Sequence, residues 1–202
     1  MSLFIESIRL DDGNPSRLSF HQDRINRAQL DHYNQIGISL IDFIQQIKTT
    51  NLIGRYKLRI IYNQKIQHYE IIPYQARTIE ELVIVETPKI QYPYKYEHRD
   101  QINKLTQSFQ SYQDIIIVKN GVITDSSYSN LAFQNHSNEW VTPSAPLLEG
   151  THRSFLIQTG QLNAEIISLK DLNKFKKVML INAMLDWEEI VLPIEQILIE
   201  RK

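Results

Sequence analysis

The stretch KNGVITDSSYSNLAF, residues 119–133, combines a turn signal with an unexpected strand ending. Asn120 and Gly121 separate two apolar runs, and an Asn-Gly pair in that position is a strong indication of a β-hairpin. The second run stops at Asp125, which is followed by small hydroxyl and amide residues up to Asn130. The stretch therefore predicts a hairpin whose second strand ends in a carboxylate, and a role for this carboxylate in a binding or catalytic site is one interpretation of that ending. The alternative is an Asp that simply closes the strand through an Asx turn.

The composition indicates an ordinary globular protein. The chain has 202 residues, 42% of them hydrophobic and 22% charged, which is enough for one large domain or two small ones. The formal net charge is −1, and this balance does not favour nucleic acid or an anionic membrane as a partner. There is no cysteine, which excludes disulfides, thiolate metal sites and cysteine nucleophiles. No metal site, signal peptide or membrane span is predicted, and a cytoplasmic location is expected.

The pattern of apolar residues predicts strands and helices in alternation. Helices are predicted at 20–35, with Ser19 as N-cap, and at 40–50, 98–112 and 151–160. Strands are predicted at 3–10, 55–63, 66–74, 80–86, 114–118, 122–125, 129–135, 139–144, 164–169, 177–184 and 195–200. Pro88 and Pro93 bracket a stiff link. The sequence thus predicts an α+β protein with an N-terminal domain at 1–87, a linker at 88–94 and a C-terminal domain at 95–202.

Two groups of residues are typical of anion binding, although neither is specific alone. His21, Arg24 and Arg27 have the spacing that brings side chains to one face of a helix, and arginine suits phosphate or carboxylate. The alternative is a solvated basic face. Gly150 and Thr151 lie at the start of a predicted helix, where backbone amides and the helix dipole favour an anion. The alternative there is an ordinary helix cap.

Lys95 is a candidate Schiff-base lysine. It lies in YPYKYEHR, residues 92–99, among tyrosines and directly after the proline link. An apolar setting favours the neutral amine that such chemistry needs. Most lysines are surface charges, so the position alone does not identify its role.

Five motifs in order give the chain its resemblance to a known family. They are FIESIR, FHQDR, YKYEHR, GVITDSSYSNLAF and TPSAPLLEGTHR, with a weaker match at LINAM. In this order they resemble the class IV, or fold-type IV, pyridoxal 5'-phosphate (PLP) enzymes, which include aminodeoxychorismate lyase and the branched-chain and D-amino-acid aminotransferases. The resemblance implies a two-domain fold, with a small α/β domain and a larger mixed β domain with flanking helices. It also implies PLP as cofactor.

The resemblance assigns roles to the reactive and charged residues. Lys95 would form the Schiff base with the cofactor aldehyde and shuttle protons at the substrate carbon. Asp125 would face the pyridine nitrogen, because a nearby carboxylate keeps that nitrogen protonated and makes the ring a better electron sink. Arg24 would contact the phosphate. Arg9 and Arg59 match strand positions that point towards the substrate pocket in some members, where they would hold a carboxylate.

The remaining cofactor contacts come from two short motifs. Gly150, Thr151 and His152 match the phosphate-binding turn before a helix, and Ser129 and Asn130 match the family's SN pair beside the cofactor. The family usually has Glu at the position of Asp125. Its phosphate-binding turn more commonly reads PGITR, where this chain has EGTHR. The chain also starts almost at the first motif, which predicts a compact, N-terminally shortened variant.

The core motifs do not distinguish between two reactions. One reaction is that of aminodeoxychorismate lyase, which eliminates pyruvate from 4-amino-4-deoxychorismate to give 4-aminobenzoate for folate biosynthesis. The other is amino-acid transamination, which uses the same lysine and ring-binding acid. The KYEHR match and the small size favour the lyase. A degenerate member that binds without catalysis is a further alternative, and the family resemblance implies a homodimer.

Overall fold

The computed structural model describes residues 2–111 and 113–199, and its chain forms two compact units. The smaller unit contains the chain up to Ala76 together with Tyr94–His98. The larger unit contains Arg77–Pro93 and the chain from Arg99 onwards. The sequence-based division counts residues 77–87 with the N-terminal domain and 95–98, which include Lys95, with the C-terminal domain, whereas the compact units assign 77–87 to the larger unit and 95–98 to the smaller one.

The smaller unit is an antiparallel sheet with two helices. Its strands are β1 (Phe4–Asp11), β2 (Asn14–Pro15), β3 (Arg55–Tyr62) and β4 (Ile66–Pro73), in the order β2-β1-β3-β4. Its helices are α1 (Leu18–Tyr33) and α2 (Leu40–Gln46). Every second residue of β1 is buried, as expected for a strand with one face on a core. The core contains Phe4, Ile8, Leu10, Ile25 and Leu58 among its buried side chains.

The start of α1 differs from the prediction. The N-cap is Arg17, whose backbone is left-handed with φ of 54°, and the helix begins at Leu18. Ser19 therefore lies in the first turn, and its predicted role as N-cap is wrong. The helix predicted at 40–50 begins as expected at Leu40 but ends at Gln46, and its N-cap is Ser39, whose hydroxyl accepts a hydrogen bond from the amide of Asp42.

The larger unit is built around a nine-stranded mixed sheet. Its strands are β5 (Leu82–Glu86), β6 (Asp114–Lys119), β7 (Val122–Ser126), β8 (Asn130–Asn135), β9 (Trp140–Pro143), β10 (Asn163–Glu165), β11 (Phe175–Ile181), β12 (Val191–Pro193) and β13 (Ile197–Ile199). They follow the order β10-β9-β8-β7-β6-β5-β13, with β11 paired to β8 and β12. Its α-helices are α3 (Asp100–Ser108) and α4 (Thr151–Gln158).

The β6–β7 hairpin confirms the Asn-Gly turn signal. Asn120 and Gly121 both have positive φ, of 52° and 75°, as a two-residue turn of the hairpin type requires. The hairpin carries β7 into the buried centre of the larger unit, where Ile123 to Ser126 are all buried. This turn thus sets the position of Asp125.

The C-terminal third departs from the predicted strands. The run at 164–169 contains only the end of β10, because Ser168 and Asp171 form a capping box that starts a 3-10 helix at Leu169–Lys174. The run at 195–200 begins with the end of a second 3-10 helix before β13, and Glu200 lies outside the described residues. The two sheets with flanking helices nevertheless confirm the predicted α+β class. Within the described ranges, no helix is long and apolar enough to cross a membrane.

Candidate functional site

Asp125 is a buried carboxylate held by two donors of the larger unit. Its side chain is 6% exposed. Oδ1 accepts a hydrogen bond from Asn130 Nδ2 at 2.7 Å, and Oδ2 accepts one from the amide of Leu148 at 2.9 Å. Burial raises the pKa of Asp125 to about 6, although these hydrogen bonds and the charge of Arg153 act in the opposite direction. At neutral pH the group is therefore mainly an anion.

The pairing of β7 with β6 is irregular around Asp125. Val118 pairs with Ile123, but Ile116 pairs with Ser126, so β7 has one residue more than β6 in this interval. The Thr124 hydroxyl donates to the carbonyl of Ile117 at 2.8 Å, beside the extra residue. A bulge of this kind interrupts the alternation of side chains and re-aims one of them. The carboxylate of Asp125 lies within this interval.

Asn130 connects the carboxylate to the turn before α4. Its Nδ2 also donates to the carbonyl of Leu148 at 2.8 Å. Its Oδ1 lies so close to Gly150 that a Cβ at that position would overlap it. Gly150 has an extended backbone that any residue can adopt, with φ of −73°, so glycine is required here for space rather than for conformation.

Asn182 connects two other predicted site residues. Its Nδ2 donates to the Ser129 hydroxyl at 2.8 Å, and its backbone carbonyl lies 3.0 Å from Nδ1 of His152. A carbonyl can only accept, so Nδ1 of His152 carries the proton. The side-chain Oδ1 of Asn182 accepts from the amide of Met184 at 2.8 Å. Asn182 was not assigned a role from sequence, although an Asn directly after the apolar run VMLI was a detectable signal.

The start of α4 is suited to an anion. Thr151 is the first helical residue, and the N-cap Gly150 leaves the first turn without a side-chain cap. Arg153, another residue not assigned from sequence, is buried in this turn. Its Nη2 donates to the carbonyl of Pro143 at 2.7 Å and its Nε to the Thr142 hydroxyl at 3.2 Å. The larger unit thus brings together six predicted residues: Asp125, Ser129, Asn130, Gly150, Thr151 and His152.

Arg24 lies in the core of the smaller unit, in contact with a carboxylate that sequence reasoning did not assign. Its Nε and Nη2 donate to the two oxygens of Glu6 at 2.8 and 2.6 Å. His21 Nδ1 lies 2.5 Å from Oε2 of the same carboxylate. His21 and Arg24 are both buried, so the alternative of a solvated basic face is wrong for them. The sequence did contain a sign that Glu6 is buried, because Glu6 alternates with Phe4 and Ile8 on one face of β1.

Arg9 and Arg59 project from the other face of this sheet. Arg59 pairs in register with Ser7, two residues from Arg9, so both arginines share one face. Arg9 forms an ion pair with Asp11 at 2.7 Å, and Arg59 contacts Glu97 at 3.7 Å. Arg59 also pairs with Glu70 on the neighbouring strand at 3.3 Å.

The segment that carries Lys95 runs beside the first strand of the same sheet. The Lys95 carbonyl accepts from the amide of Ile5 at 2.8 Å, and the Tyr96 ring stacks on Phe4. Since Glu97 reaches Arg59 from this segment, the segment borders the face that carries both arginines. The smaller unit therefore separates Arg24, on the core side, from the two predicted substrate arginines.

Comparison with known proteins gives a consistent family assignment. Residues 104–193 match the family model described as amino-transferase class IV. An uncharacterized protein of Haemophilus influenzae is 29% identical over 181 residues, which cover 89% of this chain and 96% of that protein.

Two solved structures are similar to this fold. A candidate 4-amino-4-deoxychorismate lyase from Haemophilus somnus 129PT has a TM-score of 0.82 and 30% identity, covering 91% of this chain and 97% of that one. A hypothetical aminotransferase from Mycobacterium tuberculosis, in its PLP-bound form, has a TM-score of 0.74 and 15% identity, covering 91% and 78%. The second likeness concerns the fold alone. The family model and the first likeness agree with the motifs and the two sheets: the chain belongs to the class IV aminotransferases, the family of PLP-dependent aminotransferases and lyases.

Proposed function

We propose that this protein binds PLP and acts as a 4-amino-4-deoxychorismate lyase, releasing pyruvate and 4-aminobenzoate. The observation that carries the choice of reaction is the 30% identity to the candidate lyase over 97% of that chain. The runner-up is amino-acid transamination, which the family description favours. Both reactions use the same core residues, so product analysis has to separate them.

The described residues fit a phosphorylated pyridine cofactor. The buried carboxylate of Asp125 suits a protonated ring nitrogen, because a buried anion is stabilised by an adjacent cation. The first turn of α4 offers backbone amides, and the close approach of Gly150 to Asn130 keeps the backbone near the carboxylate site. These features support the proposed roles of Ser129, Thr151 and His152 as further cofactor contacts.

In the proposed reaction each residue of the chain has a limited task. When bound, PLP supplies an electron sink for a carbanion at the reacting carbon. The amine of Lys95 would bind the cofactor aldehyde and, when released from it, would accept a proton from the substrate carbon. Asp125 would hold the proton on the ring nitrogen, Arg24 would bind the phosphate, and Arg9 or Arg59 would orient a substrate carboxylate.

The first test is product formation by the purified protein with PLP and 4-amino-4-deoxychorismate, with no keto acid present. We expect pyruvate and 4-aminobenzoate in equal amounts. Glutamate that forms when an amino-acid donor and 2-oxoglutarate are supplied, with no 4-aminobenzoate from 4-amino-4-deoxychorismate, would support the transaminase instead. If neither product forms under either condition, the proposed activity is wrong.

The second test concerns Lys95. Borohydride reduction of the loaded protein should fix a pyridoxyl group on Lys95, and peptide mapping will locate it. Lys95→Ala should abolish this labelling and the visible absorbance of the bound cofactor, whereas Lys104→Ala, at an exposed lysine of α3, should retain both. Unchanged absorbance in Lys95→Ala would exclude the assigned role.

We also propose a homodimer, as the family resemblance implies. Sedimentation velocity should give a mass of twice 23.8 kDa. A monomer at micromolar concentration that is fully active would contradict this.

A further inference from the structure

Glu6 is a charged residue on the core face of a strand. It lies between Phe4 and Ile8 in the buried set of β1, and its side chain is 0% exposed. Acidic residues are almost never fully buried unless they are paired, because loss of hydration strongly disfavours the charge. The pairing partners of Glu6 therefore determine what it does.

Three donors surround this carboxylate within the smaller unit. Arg24 approaches with Nε on Oε1 and Nη2 on Oε2, a bidentate arrangement that fixes the plane of the guanidinium. His21 adds Nδ1 on Oε2. Because an ionised carboxylate only accepts, Nδ1 of His21 is the protonated ring nitrogen. Glu6 thus connects two α1 side chains to the sheet.

The charges of the cluster balance only when Glu6 is ionised. Burial raises the pKa of Glu6, but Arg24 and His21 outweigh it and lower the pKa to about 2. Burial also lowers the pKa of His21 below its ordinary value and outweighs the contact with Glu6, which acts in the opposite direction, so His21 is neutral at pH 7. Glu6 and Arg24 then form a neutral pair. Without Glu6 the guanidinium, which is 7% exposed, would be an uncompensated buried cation.

We propose that Glu6 is a positioning residue for phosphate binding: it holds the Nε–Nη2 edge of Arg24, so that the guanidinium meets the cofactor phosphate in one orientation. This inference rests on the proposed function, in which Arg24 contacts that phosphate. Glu6 itself would not touch the cofactor. The hydrogens of Nε and Nη2 that Glu6 accepts are not shared with the phosphate.

The test compares two cofactor forms that differ only in the phosphate. Dissociation constants for PLP and for pyridoxal are measured by absorbance on the full-length apo-protein, for the wild type and for Glu6→Gln. We expect PLP binding to weaken by about 10-fold to 100-fold, as for the loss of a hydrogen bond to a charged group, while pyridoxal binding stays unchanged. Asp42→Asn, which removes an exposed carboxylate of the same unit, should change neither constant.

Two results would overturn the proposed role of Glu6. If Glu6→Gln weakens the binding of PLP and of pyridoxal equally, Glu6 acts on the fold in general. If the dissociation constant of PLP is unchanged, Arg24 needs no positioning. Either result overturns the proposal. If Glu6→Gln does not fold by circular dichroism, Glu6→Asp is used with the same two criteria, because it keeps the charge and shortens the arm. A wild-type protein that binds neither PLP nor pyridoxal would instead refute the proposed function.

Discussion

Replacing Asp125 by Asn should change how the stability of the cofactor-free protein depends on pH. The carboxyl is buried, and its pKa rises from the ordinary value of 3.8 to about 6. Above about pH 6 the group is ionised in both the folded and the unfolded chain, and folding includes the full cost of burying the anion. Below about pH 4 it is protonated in both states, and that cost disappears. Asp125 therefore destabilises the apo-protein progressively as the pH rises through this window.

The size of the effect follows from the difference between the two pKa values. A rise from 3.8 to about 6 corresponds to a cost of about 3 kcal/mol at pH 7, of which about 2 kcal/mol is recovered on lowering the pH to 4.5. Asn has the same shape but also loses an acceptor for Asn130 or Leu148, at a cost of about 1–3 kcal/mol. That second cost depends little on pH. The difference in the free energy of unfolding between the wild type and Asp125→Asn therefore changes with pH only through the ionisation of Asp125.

Urea unfolding of both apo-proteins at pH 4.5 and pH 7 measures this quantity. The free energy of unfolding of the wild type, relative to Asp125→Asn, should fall by about 2 kcal/mol between the lower and the higher pH. Glu165→Gln, at an exposed position of the larger unit, controls for the loss of one carboxylate. A difference between wild type and Asp125→Asn that is the same at both pH values would refute the claim that Asp125 is a buried anion with a raised pKa.

Two further substitutions test the contacts around this carboxylate. Gly150→Ala should push the Asn130 amide away and reduce the free energy of unfolding by about 1–3 kcal/mol. Adding Asn130→Ala should relieve the overlap. A Gly150→Ala protein as stable as the wild type would contradict this close contact. Asn182→Ala should cost about 1–2 kcal/mol in urea unfolding, because the Ser129 and Met184 contacts are lost, and no change would show that these hydrogen bonds are not formed in solution.

Local signals were enough to predict the elements that surround the site. The Asn120-Gly121 pair requires positive φ at both positions, and this requirement identifies the hairpin without knowledge of the rest of the fold. The alternation of buried and exposed residues in β1 also follows from the sequence, because a strand places successive side chains on opposite faces. The end of α4 is marked by Gly160, which has a left-handed backbone with φ of 72°.

Contacts between distant parts of the chain were not predictable in this way. Arg24 has the same helical spacing whether it faces water or Glu6, and only the packing of α1 on the sheet places it on that carboxylate. Likewise, the contacts of Asn182 with Ser129 and His152 join segments that are remote in sequence. No periodicity encodes them, because each depends on how strands pair.

The extra residue in β7 restricts which insertions and deletions this region can tolerate. Deleting one residue between Ile123 and Ser126 would restore regular pairing with β6 and improve the backbone ladder. It would also change the direction of the Asp125 side chain, because the residues of the interval would then alternate between the two faces of the sheet with the regular period of two. A shortened β7 would then make a more regular sheet while moving Asp125 away from Asn130 and Leu148. We expect length changes in this segment to be excluded even where sequence changes are accepted.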